Sequence, residues 1–111
     1  MDSLDNYRRI LKEVLVPYRQ IPYSYGVIEC KTVFDCENDS YLLITVGWES
    51  AKRIHGCLVH LDILDIIVWV QRDDTEDGVT YELEAAGVPK DKVVLGFHPQ
   101  NVRQHTGYAV I

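Results

Sequence analysis

The sequence predicts an α+β protein: an antiparallel four-stranded meander, with room for a fifth short strand, packed against an N-terminal helix and a second helix. Three observations predict it. Four runs between Val27 and Arg72 alternate in character residue by residue, the period of a strand. Segments on either side carry apolar residues at three- and four-residue steps, the period of a helix. The links between the runs are short, which suits antiparallel neighbours.

The first helix is expected over about Asp5 to Val16. Tyr7, Ile10, Leu11, Val14, Leu15 and Tyr18 make one apolar stripe, and Ser3 or Asp2 stands where a cap belongs. Arg8, Arg9, Lys12 and Glu13 fall on the other face, with Arg9 and Glu13 spaced to pair. Pro17 should end or kink this helix, because it has no N–H and crowds the preceding turn. Pro22 and Gly26 mark a second break.

The strands are expected at Val27–Asp35, Tyr41–Trp48, Arg53–Ile63 and Ile66–Arg72, with Asp35 to Asp39 as a hairpin loop. Alternation assigns Ile28, Cys30 and Phe34, then Leu42, Ile44, Val46 and Trp48, then Cys57, Val59, Leu61 and Ile63, then Val68 and Val70, to one apolar side under the helices. Tyr41, Leu43 and Thr45, then Leu58, His60 and Asp62, then Ile67, Trp69 and Gln71, go to the opposite side. On this reading Trp48 belongs to the core and Trp69 faces a partner.

A second helix is expected over about Glu76 to Ala86, capped by Thr75 or Asp74, with Val79, Leu83 and Ala86 inward. Gly87 should end it in the left-handed conformation, and Pro89 blocks continuation. Val93 to Phe97 reads as a short buried strand, and the tail from His98 onward has no clear period.

A chain of 111 residues suits a single domain spanning 1–111. Its net charge of −6 opposes phosphate binding, so direct contact with DNA is disfavoured. Met1 is followed by polar residues rather than an apolar signal region, and no run is long enough for a membrane span. Three cysteines, Cys30, Cys36 and Cys57, follow neither a disulfide nor a zinc pattern. Reduced thiols in a cytoplasmic protein are the simplest reading.

Catalytic machinery is sought with little result. Asp73, Asp74, Glu76 and Asp77 lack the calcium-loop spacing and read better as residues at a helix start. His60 and Asp62 place a base and a carboxylate on one strand face, without a nucleophile or third ligand beside them. Gly87 and Gly96 form no phosphate loop. No catalytic residue, metal ligand or cofactor site is therefore assigned. The candidate site is a partner-binding face of His60, Asp62, Trp69 and Gln71. That face is too apolar for a purely solvated one, and self-association is a further way to cover it.

Four blocks carry a family resemblance over nearly the whole chain. They are Tyr41-Leu42-Leu43 with Gly47-Trp48; Gly56-Cys57 with His60-Leu61-Asp62-Ile63; Val68-Trp69-Val70-Gln71 with Asp74-Thr75-Glu76-Asp77-Gly78; and Gly87-Val88-Pro89-Lys90 with Val94-Leu95-Gly96-Phe97. The chain resembles the XisI family of fdxN element excision controlling factors. The family pattern has Asp-Gly-Lys or similar at this turn, where this chain reads Asp65-Ile66-Ile67.

The resemblance implies a bacterial, cyanobacterial-type cytoplasmic factor required for programmed excision of a DNA element. It implies as partners a nuclease-related companion, XisH, and a site-specific recombinase, and it supplies no catalytic residues. The main expectation is a non-enzymatic accessory factor that acts by protein binding. Three alternatives stay open. An antitoxin-like inhibitor would relieve the toxicity of a nuclease-like companion. A directly DNA-binding excision factor would show steep salt dependence. A small metal-dependent enzyme using His60 and Asp62 would carry metal when purified.

Overall fold

The apolar stripe of the N-terminal segment forms helix α1 (Ser3–Leu15), which buries Tyr7, Ile10, Leu11, Val14 and Leu15. The computed structural model describes residues 3–20, 27–76 and 78–110. The proposed Asp2 cap and the break at Pro22 and Gly26 lie outside them. At Pro17 the chain tightens into a 3-10 turn, Val16–Gln20, so the proline does stop the α-helix. Tyr18, in that turn, packs against the core and donates its hydroxyl proton to Glu82.

Five strands follow as one sheet in the order β1-β2-β3-β4-β5: β1 (Val27–Asp35), β2 (Ser40–Glu49), β3 (Lys52–Leu64), β4 (Ile67–Asp73) and β5 (Val93–Leu95). The first four form the expected antiparallel meander, and β5 adds to β4 in parallel. Helix α2 (Val79–Ala86) makes the crossover that a parallel neighbour requires.

Register sorts the side chains. Across the helix-covered side, Phe34, Tyr41, Leu61 and Val70 form one row, and Thr32, Leu43 and Val59 form the next. Tyr41, Leu43, Val59, Leu61, Val68 and Val70 are fully buried there, beneath α1, Val79 and Leu83 of α2, and Val88. This corrects the expectation for β2. Tyr41 and Leu43 face the core, whereas Leu42, Ile44, Val46 and Trp48 stand on the outer side, with Trp48 half-exposed. The β1–β2 loop sets this, because Asp35 pairs with Ser40 and even positions of β1 therefore meet odd positions of β2.

The loop is anchored to α1. Arg8 forks onto Asp39, Nε to Oδ1 at 2.7 Å and Nη2 to Oδ2 at 3.1 Å, and Tyr41 donates its hydroxyl proton to Oδ1 at 3.2 Å. The guanidinium holds the Asp39 carboxyl below the usual carboxylate range. Arg8 is thus a structural cation, while Arg9 pairs with Glu13 at 2.9 Å on the helix surface as its spacing predicts.

The acidic run before α2 works differently from the expectation. The helix begins at Val79 rather than near Glu76, and Gly78, at φ 85°, holds the cap position without a side-chain bond. Asp73, at the end of β4, accepts the Val79 N–H at 2.7 Å and the Thr75 N–H at 3.0 Å. An acid therefore does satisfy the first turn, but from outside the helix. Gly87 ends α2 at φ 117°, and Val88 N–H returns to the Leu83 carbonyl, as the Gly-Val-Pro sequence predicts.

The β3–β4 hairpin carries a strained turn. Leu64 pairs with Ile67, and the two residues between them, Asp65 and Ile66, have φ of 53° and 59°. Such a turn favours glycine or asparagine, and a β-branched isoleucine is a costly occupant.

Candidate interaction face

Asp62 is the hub of the outer face. Its Oδ1 accepts a hydrogen bond from Ser40 Oγ at 2.7 Å and lies 2.9 Å from His60 Nε2. Its Oδ2 accepts from Gln71 Nε2 at 3.2 Å. Register explains the cluster. Ser40 and Asp62 are direct cross-strand partners, His60 is two residues along the same strand, and Asp62 also faces Trp69 on β4. An irregularity between His60 and Leu61 sets Gln71 beside this row. His60, Asp62, Trp69 and Gln71 accordingly share one face, with His60 and Gln71 joined through the Asp62 carboxylate and Trp69 across the ladder from it.

Around it the outer side divides in two. Over β1 to β3 it carries Val33, Leu42, Ile44, Val46 and Trp48, with Val33 43% and Trp48 50% exposed. These are contiguous with His60, since Val33, Leu42 and His60 form one cross-strand row. Over β4 and β5 the C-terminal segment lies on the face. It includes the short helix α3 (Gln100–Arg103), and Ala109 N–H reaches the Val93 carbonyl at 2.8 Å. The Arg103 guanidinium sits 5.2 Å from the Trp69 ring centre, and its Nε donates to the His98 carbonyl at 3.0 Å. Val94, opposite Trp69, is fully buried.

Gly96 is a position that sequence reasoning passed over. A Cβ there would stand 2.6 Å from Gln71 Oε1, 3.1 Å from the Trp69 ring and 3.3 Å from the Val70 carbonyl. Its missing side chain lets the tail meet Trp69 and lets Gln71 reach Asp62. The lone glycine in Leu95-Gly96-Phe97 was the signal, since an isolated glycine in a strand pattern marks close backbone approach.

The three cysteines differ in burial: Cys30 is buried, Cys57 half-buried and Cys36 exposed, and none forms a disulfide. No group of three or more His, Cys, Asp or Glu side chains placed to hold a metal ion occurs among the described residues. His60 and Asp62 remain a pair in a hydrogen-bond network. The arrangement can orient an imidazole and present it beside an apolar surface, which is chemistry for recognition. No described helix is long and apolar enough to cross a membrane.

These features define a class: a small two-layer α+β protein with one sheet side under helices and the other partly open. Residues 1–110 match the family model described as XisI protein, and the chain belongs to that family. An XisI-like protein from Anabaena variabilis is 32% identical, with a TM-score of 0.86 over 97% of this chain and 99% of that one. The fdxN element excision controlling factor XisI from Anabaena variabilis is 28% identical, with a TM-score of 0.83 over 99% and 100% of the two chains. No curated protein matches significantly. The family and fold expected from the four sequence blocks are thereby confirmed.

Proposed function

We propose that this protein is a non-enzymatic accessory factor that controls excision of a DNA element by binding a protein partner. Its similarity to a structure described as an excision controlling factor supports the control role. The observation that carries partner binding is the open outer face of β1 to β3. A small sheet that leaves Val33 and Trp48 exposed, and Leu42, Ile44 and Val46 half-buried, beside a positioned His60 has the make-up of an interface, with an apolar centre and a polar border.

The partner of choice is the nuclease-related companion implied by the family, XisH, with the recombinase as the other. The chain's charge of −6 favours a basic protein surface over nucleic acid. A second copy seated on the same face would make a homo-oligomer. Co-expression with the companion, followed by native mass measurement, tests the reading. A complex of defined stoichiometry at micromolar concentration is expected. A homo-oligomer or monomer that takes up no companion contradicts it.

A further inference from the structure

Strand β3 outruns one of its neighbours. On one side β2 pairs with it from Lys52 to Asp62, whereas on the other β4 pairs only from Val59 to Leu64. The last backbone bond on the β4 side runs from the Asp74 N–H to the Leu58 carbonyl, at 2.9 Å, before the chain turns toward α2. From Lys52 to Cys57, therefore, β3 has a strand on one side alone among the described residues. An open edge of this kind offers alternating N–H and C=O groups at strand spacing.

The edge borders a recess of about 440 Å³ whose lining includes Lys52, Arg53, His55, Gly56, Arg72 and Asp74. A side chain at Gly56 would meet nothing within 4 Å, so the sheet face beside the edge is unobstructed there. Lys52, Arg53 and Arg72 are fixed cations, and Asp74 is the one carboxylate of the lining. Arg72 pairs with Asp74 at 2.7 Å, and Arg53 lies over Trp48. The recess is thus locally cationic in an acidic chain.

We infer that the free edge of β3 accepts an extended acidic segment of a protein partner as an added strand, in the line that β4 vacates. Backbone groups would supply the affinity, and Lys52, Arg53 and Arg72 the preference for carboxylates. A second copy of β3 fits poorly, because edge-to-edge pairing would bring two cationic edges, each with Lys52, Arg53 and Arg72, against one another. Nucleic acid answers the cations but not the strand-spaced backbone groups, and it meets a net charge of −6. This site lies in the plane of the sheet, at the border of the outer face that Arg53 marks.

The test uses two labelled eight-residue peptides, one alternating valine with glutamate and the other valine with lysine. Binding is followed by fluorescence anisotropy, and amide exchange of β3 by NMR. The glutamate peptide should bind at least about tenfold more tightly than the lysine peptide at about 0.15 M salt. It should also slow exchange of those N–H groups between residues 52 and 57 that point away from β2, which are expected to exchange fast in the free protein. Lys52→Glu should weaken it severalfold, whereas Lys90→Glu, the same charge reversal outside the recess, should leave it unchanged. Slow exchange of that edge in the free protein overturns the inference. So does equal binding of both peptides, protection elsewhere, displacement by single-stranded DNA, or no binding at about 1 mM.

Discussion

Trp69 lies against Arg103, and Trp48 against Arg53, with guanidinium carbons 5.2 Å and 5.3 Å from the ring centres. Both tryptophans are on the outer side of the same sheet, yet their surroundings differ. Arg103 belongs to the C-terminal segment, which bonds to β5 through Ala109, next to the fully buried Val94. Arg53 sits directly across the β2–β3 ladder from Trp48, and no further layer follows among the described residues. The same contact therefore closes one half of the face and merely borders the other. The closed half is part of the packed structure, and the open half is the surface proposed above to bind the partner.

Substitutions can break this comparison. The largest effect is expected for Trp69→Ala, which removes the ring that packs against Gly96 and Arg103. It should cost about 2–3 kcal/mol in urea unfolding, less than a fully buried tryptophan, and should speed amide exchange at Ala109. Gly96→Ala comes next, at about 1–2 kcal/mol, since its Cβ forces Gln71 from Asp62 and presses on the Trp69 ring. Ile66→Gly sharpens the comparison from the other side. Relief of the left-handed isoleucine should stabilise the β3–β4 hairpin by about 1 kcal/mol, leaving exchange in the tail unchanged relative to global stability. Trp48→Ala should change stability least, by about 0.5 kcal/mol or less, because the ring is half-exposed and lies against the Arg53 guanidinium. A large loss for Trp48→Ala, or a negligible one for Trp69→Ala, would dissolve the distinction.

Much of the fold was legible because its signals are local. The stripe of α1, the stop at Pro17, the four strands and the Gly87 terminator each follow from neighbouring residues. The side-chain sorting of β2 was not legible. Both of its alternating sets are apolar, Tyr41 and Leu43 against Leu42, Ile44, Val46 and Trp48, so hydrophobicity does not choose between them. The length of the β1–β2 loop chooses, through the pairing of Asp35 with Ser40. The start of α2 was misplaced for a similar reason, because its first-turn acceptor, Asp73, sits on a strand before the loop.

The candidate face was legible in part. His60, Asp62, Trp69 and Gln71 were grouped by alternation, and the Asp62 hydrogen bonds now tie His60 and Gln71 into one cluster. Two features escaped. The apolar half of the face was assigned to the core with β2, and the cover over Trp69 comes from a tail without periodicity. Both depend on contacts between segments distant in sequence, which residue spacing does not encode. The irregularity at His60 and Leu61, which sets Gln71 beside Asp62, belongs to the same group.

The central claim is that the open half of the outer face binds the protein partner. The most direct measurement is the affinity of the nuclease-related companion for wild type and for Trp48→Glu, with thermal unfolding of both proteins recorded alongside. The prediction is a loss of at least about tenfold in affinity, as expected when a charge enters an apolar interface centre, with the unfolding midpoint almost unchanged. Affinity within about twofold of wild type, in a variant that unfolds at the wild-type temperature, would contradict it.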